Sequence, residues 1–168
     1  MENLVNRVAN SSLITVKPET FFPTTTFAHF DLKDYLFMEM VLKEKEFRAA
    51  LKAHDWTQYK EHTLLVYCSN DAIIPLWAYM LVATHAAPHA VDVFQGQEAA
   101  YELRHALRYI ENMDIEAYRD RPVVIKGCAE RDVPATVYVA LTQRLQPVVR
   151  SLMFGEPCST VPVYKRKR

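Results

Sequence analysis

The clearest signal along the chain is a set of short apolar runs separated by segments of helical period. His62–Tyr67 has an apolar centre, Thr63-Leu64-Leu65-Val66, and predicts a buried β-strand. Val91–Phe94 and Pro122–Lys126, the latter holding Val123, Val124 and Ile125, predict two more. Between and after them lie three helical stretches. Asp71–His85 is largely apolar, and Gln97–Asn112 turns Tyr101, Leu103, Ala106, Leu107 and Ile110 to one face. Val133–Met153 predicts a last helix, bent near Pro147 and ended by Gly155.

The first sixty residues are less regular. The pattern predicts a short helix over Glu2–Val8, a strand over Leu13–Val16, a Pro/Thr-rich loop over Lys17–Thr26 and a strand over Phe27–Leu32. Phe47, Ala50 and Leu51 at helical spacing predict a surface helix over residues 43–53, and Met38–Leu42 reads as an edge strand and candidate homodimer surface. Strands alternating with helices imply an α/β fold in three layers, with a mostly parallel twisted sheet and helices on both faces. The expected organisation is one domain over residues 1–168: an irregular α+β segment (1–60), a βαβαβα core (61–153) and an extended C-terminal tail (154–168).

Composition narrows the function. Lys+Arg and Asp+Glu both number 20, so no net field draws the chain to nucleic acid or to an anionic membrane. No apolar run approaches the ~20 residues of a membrane span. The start, Met1-Glu2-Asn3-Leu4-Val5-Asn6-Arg7, lacks the apolar region of a secretory signal, which predicts a cytoplasmic, reducing location. The C-terminal Lys165-Arg166-Lys167-Arg168 run reads as a solvated tail. Only three glycines occur, Gly96, Gly127 and Gly155, so neither a dinucleotide loop nor a P-loop can be written, and no G-x-S-x-G is present. His85 and His89, four apart with Pro88 between them, read as helix-end histidines rather than metal ligands.

The cysteines remain. Cys68-Ser69-Asn70-Asp71 leads on to Pro75 and Tyr79, and Cys128-Ala129-Glu130-Arg131-Asp132 leads on to Pro134 and Tyr138. Each stretch runs from strand to cysteine, polar turn, proline and helix, and the spacings differ by one residue. Both thiols thus fall at the carboxyl end of a strand, where open α/β sheets bind ligands, and before a helix N-terminus that favours thiolate. Cys158 lies in the proline-stiffened Phe154–Pro162 segment, which could fold back over the strand ends. Three readings stay open. The cysteines are small buried hydrophobes. Alternatively, Cys68, Cys128 and Cys158 are thiolate ligands for zinc or an iron–sulfur cluster, with Asp71, Asp132 or Glu156 as a further ligand or support. In the third, Cys68 or Cys128 is an enzyme nucleophile, although Ile73 and Val133 stand where a C-x5-R phosphate loop needs arginine.

Several strings together resemble a small bacterial family of uncharacterised proteins, a domain of unknown function. They are Leu42-Lys43-Glu44-Lys45-Glu46-Phe47-Arg48, His54-Asp55-Trp56, Cys68–Pro75, Val124-Ile125-Lys126-Gly127-Cys128 and Phe154–Pro162. Genes of that family often sit near those for iron–sulfur cluster assembly. The resemblance therefore implies a metal- or iron–sulfur-handling accessory protein with iron–sulfur assembly proteins as partners. A thiol-dependent enzyme and a structural or partner-binding protein are the alternatives.

Overall fold

The computed structural model describes residues 13–127, 130–156 and 159–167. The helix expected over Glu2–Val8 lies outside them, as do Cys128 and Cys158. In chain order the elements are β1 (Ile14–Val16), β2 (Thr26–Asp31), β3 (Leu36–Phe37), β4 (Val41–Leu42), α1 (Glu44–Ala53), β5 (His62–Tyr67), α2 (Leu76–Ala86) and β6 (Asp92–Gln95). There follow α3 (Glu98–Asn112), β7 (Pro122–Ile125), α4 (Ala135–Leu145), β8 (Ser151–Glu156) and β9 (Ser159–Lys165). The α/β class and the parallel pairing are as the sequence pattern predicts.

The strands divide between two main sheets, β2-β5-β6 and β1-β7-β8-β9, parallel throughout except for the antiparallel β8–β9 pair. The chain forms two compact units. Unit 2 is the continuous stretch Thr24–Tyr101, and unit 1 joins Met1–Pro23 to Glu102–Arg168. In unit 2, Leu64 and Val66 of β5 share a core with Phe47 and Leu51 of α1 and Ala78, Val82 and Ala86 of α2. In unit 1, Val123 and Ile125 of β7 share one with Ala106 and Ile110 of α3 and Val137, Leu141 and Leu145 of α4. Alternate strand residues point to opposite faces. Each three-strand parallel sheet therefore carries both of its helices on one face, as two right-handed crossovers in the same direction require.

Three local expectations are corrected. Met38–Leu42 is not a strand: Met38 and Glu39 take positive φ (51° and 58°), so the chain reverses and pairs Leu36–Phe37 with Val41–Leu42. The helix expected from Asp71 starts only after Pro75, whose ring bars the preceding residue from helical geometry. Pro147 does not bend the last helix but follows its end. It cannot donate the next backbone hydrogen bond, so α4 stops at Leu145. Residues 151–156 then form β8, with Gly155 inside it, and the expected tail pairs with β8 as β9.

The half-repeat is a full repeat, in a different register. Shifting residue numbers by 59 aligns the described residues of 103–155 with their counterparts in 44–96. Thr63 opposite Asp92 becomes Pro122 opposite Ser151. Phe47 and Leu51 become Ala106 and Ile110, and Ala78, Val82 and Ala86 become Val137, Leu141 and Leu145, all buried. Asp55 and Asp114 each accept the backbone N–H two residues on at 3.0 Å. Glu61 and Asp120 share positive φ (69° and 56°), as do Gly96 and Gly155 (139° and 123°). Pro75 and Pro134 both cap helices in extended geometry. In this register Cys68 corresponds to Gly127, and Cys128 to Ser69. The cysteines are not equivalent positions.

Candidate functional site

In unit 1 the carboxyl ends of β1, β7 and β8 lead into Lys17–Glu19, Lys126–Gly127 and the end of β8 at Glu156. A cavity of about 560 Å³ opens here, lined by Gly127, Glu130, Arg131, Asp132, Val133, Tyr138 and Phe154. Its floor is aromatic: Phe154 meets Tyr138 edge-on at 5.6 Å. The space belongs to Gly127, because a Cβ there would stand 2.6 Å from Phe154 Cζ. The Tyr138 hydroxyl donates to the Lys126 carbonyl at 3.4 Å.

Charged groups line one wall. Arg131 Nη2 donates to Glu102 Oε2 at 2.7 Å, and its guanidinium lies 3.8 Å over the Phe22 ring. Lys126 Nζ lies 3.8 Å from Glu19 Oε1. Three buried polar atoms around this edge have no hydrogen-bond partner among the described residues: Glu19 Oε2, Arg131 Nε and Glu156 Oε1. A buried carboxylate oxygen without a donor is costly and asks for a water or an ion.

The corresponding edge of unit 2 is closed by its own hydrogen bonds. Asp31 Oδ1 accepts the backbone N–H groups of Lys33 and Ser69, both at 3.0 Å. Burial pushes its carboxyl up, but the Ser69 and Lys33 hydrogen bonds and the Lys33 charge outweigh that and hold it below the usual carboxylate range. Asn70 Nδ2 donates to the Glu39 carbonyl at 2.6 Å, and Asp71 donates its N–H to Asn70 Oδ1 at 2.9 Å. Cys68 is half-buried against the unit 2 core.

The sequence-predicted site residues are thus distributed. Cys68 and the exposed Asp71 belong to unit 2. Asp132 lines the unit 1 cavity, and Glu156 ends β8 in the same unit. Cys128 and Cys158 lie outside the described residues. Among the described residues no three His, Cys, Asp or Glu side chains converge to hold a metal ion. His85 stacks on Trp56 at 5.4 Å, while His89 is exposed. Sequence reasoning missed Glu19, Glu102 and Arg131. Glu19 sat in a segment read as loop, and Arg131 finds Glu102 only across 29 positions.

The model of a family described as proteins of unknown function, DUF2480, matches residues 2–166. The chain belongs to that family. No curated protein and no solved structure matches it. In this DUF2480 chain the unit 1 cavity lies at the carboxyl edge of a parallel sheet, where α/β proteins generally bind ligands. Among the described residues, that edge carries a cavity in unit 1 and internal hydrogen bonds in unit 2.

Proposed function

We propose that the protein handles a thiophilic metal, zinc or iron in an iron–sulfur context, as an accessory protein. The ligands are the thiolates of Cys128 and Cys158, with Glu156 completing the set and Asp132 supporting it. The observation that carries this reading is Glu156 Oε1, a buried carboxylate oxygen with no donor among the described residues, two positions before Cys158. Gly127 immediately precedes Cys128 and lines the same edge. Two thiolates and a carboxylate suit tetrahedral zinc with one position left for water or a donor from a partner protein. An open position is what an acceptor of transferred metal needs, and the partner class is the proteins that assemble iron–sulfur clusters. Cys68, in the other unit and packed against its core, is assigned to packing.

The test is metal analysis and absorbance of protein purified without oxygen. About one equivalent of zinc or iron is expected. It should be lost in Cys128→Ser and Cys158→Ser, weakened in Glu156→Gln and kept in Cys68→Ser. Less than about a tenth of an equivalent, with none regained on reconstitution, overturns the proposal.

A further inference from the structure

At the amino edge of the same sheet, a second cavity of about 390 Å³ is lined by Arg150, Ser151, Lys165 and Arg166. Its walls come from the residue before β8, the start of β8 and the end of β9. The Arg166 N–H donates to the Arg150 carbonyl at 3.0 Å, so these two arginines face each other across the strands. Like charges directly opposed on a sheet are unfavourable unless something offsets them. Arg166 has its own partners: Nη1 pairs with Asp120, and Nη2 donates to the Val148 carbonyl at 2.8 Å. Arg150 and Lys165 have no side-chain acceptor among the described residues.

The internal repeat provides a control for whether the fold needs these cations. The 59-residue shift maps Arg150 onto Val91 and Arg121 onto His62. The backbone geometry is the same, with Val91 N–H donating to the His62 carbonyl and Arg150 N–H to the Arg121 carbonyl, both at 2.9 Å. Unit 2 therefore makes this strand start with a valine. The arginine in unit 1 does not serve the backbone, and β9, which brings Lys165, has no counterpart in the β2-β5-β6 sheet. In a chain of zero net charge, unit 1 has gathered cations around one cavity.

We infer that this cavity binds the phosphate group of a small molecule. Its volume lies in the range of small-ligand sites. A phosphate monoester carries about −1.5 to −2 charges at pH 7 and three strong acceptor oxygens. Arg150 and Lys165, without a side-chain acceptor among the described residues, and the Ser151 hydroxyl match that charge and acceptor count. The guanidinium of Arg150 can take two oxygens at once, and Lys165 supplies a point charge. This site is independent of the thiols, so it stands or falls without them.

The experiment is titration of the full chain with inorganic phosphate against sodium chloride of equal ionic strength. It is followed by amide chemical shifts and by the thermal midpoint. Phosphate should raise the midpoint and move the amides of Arg150, Ser151 and Lys165. The Arg150→Val variant, carrying the side chain that unit 2 already uses, should weaken binding by about tenfold or more while the far-ultraviolet spectrum is unchanged. Lys165→Gln is the second variant, exposed and outside the core, with the same expectation. Amide shifts that chloride reproduces, shifts centred elsewhere, or undiminished affinity in both variants would overturn the inference.

Discussion

His54 sits where three aromatic residues of unit 2 meet. Its Nε2 lies 2.8 Å from the Tyr59 hydroxyl, and its ring contacts Trp56 and Phe30. Burial pulls its pKa below the usual 6.5, and the neighbouring Asp55 only partly opposes this. Burial also pushes Tyr59 up to about 12, so the phenol stays protonated throughout the working range. A histidine whose folded pKa lies below its unfolded one binds fewer protons when folded. Stability then rises with pH through the interval between the two values, and is lost as pH falls from about 6.5 downward. The urea midpoint should drop between pH 7.5 and 5, and His54→Gln should flatten that drop. An unchanged slope in the variant would assign it to other groups. Asp31 is shifted in the same direction, downward, but acts in a lower window. Its depressed carboxyl contributes stability above about pH 4 that is lost as pH falls through its folded value.

At the scale of elements, the repeat is carried by backbone constraints rather than by side-chain chemistry. Gly96, just after β6, and Gly155, inside β8, take φ of 139° and 123°, a region that L side chains rarely adopt. Their surroundings differ. A Cβ at Gly155 would lie 2.5 Å from the Ser159 carbonyl oxygen, which is backbone. At Gly96 it would lie 2.9 Å from the Phe94 ring, which can turn aside. Both Gly→Ala changes incur the dihedral strain, about 1–3 kcal/mol. Gly155→Ala should therefore cost more than Gly96→Ala in urea unfolding, and the reverse order would refute the packing argument. The helix starts and stops follow the same logic. Pro75 and Pro134 fix where α2 and α4 begin, and Pro88 and Pro147 follow their ends. These were legible in the sequence as prolines. That Pro147 terminates a helix was not, because a proline of unknown partners is equally compatible with a kink.

For the molecule as a whole, the interleaving of the two units has a mechanical consequence. Unit 2 is continuous, whereas unit 1 needs β1 from the other end of the chain. β1 pairs Val16 with Ile125, and Val16, Phe21 and Phe22 are buried in the unit 1 core. Burying each such side chain contributes about 1.5–3 kcal/mol. Together they approach the ~5–15 kcal/mol by which a typical domain is stable at all. A chain beginning at Thr24 should lose amide protection in β7, α4 and β8 and keep it in β5, α2 and β6. Retained protection in β7 would show that β1 is dispensable.

Local pattern alone determined the class of the fold and the positions of β5, β7, α1 and α3, because burial writes its period directly into the chain. It also pointed to the strand ends as candidate positions for chemistry. Tertiary structure decided the rest. Pairing partners lie far apart in sequence, so only the folded chain shows two sheets, an antiparallel β9 and a β1 that completes a distant unit. Matching the thiols aligned Cys68 with Cys128. The positions that must match are the positive-φ residues, the prolines and the buried helix faces, and these align Cys68 with Gly127 instead. The same folding assigns Cys68 and Asp71 to unit 2 and Asp132 and Glu156 to unit 1. It left Glu156, at the end of β8 in unit 1, with a buried carboxylate oxygen that lacks a donor among the described residues.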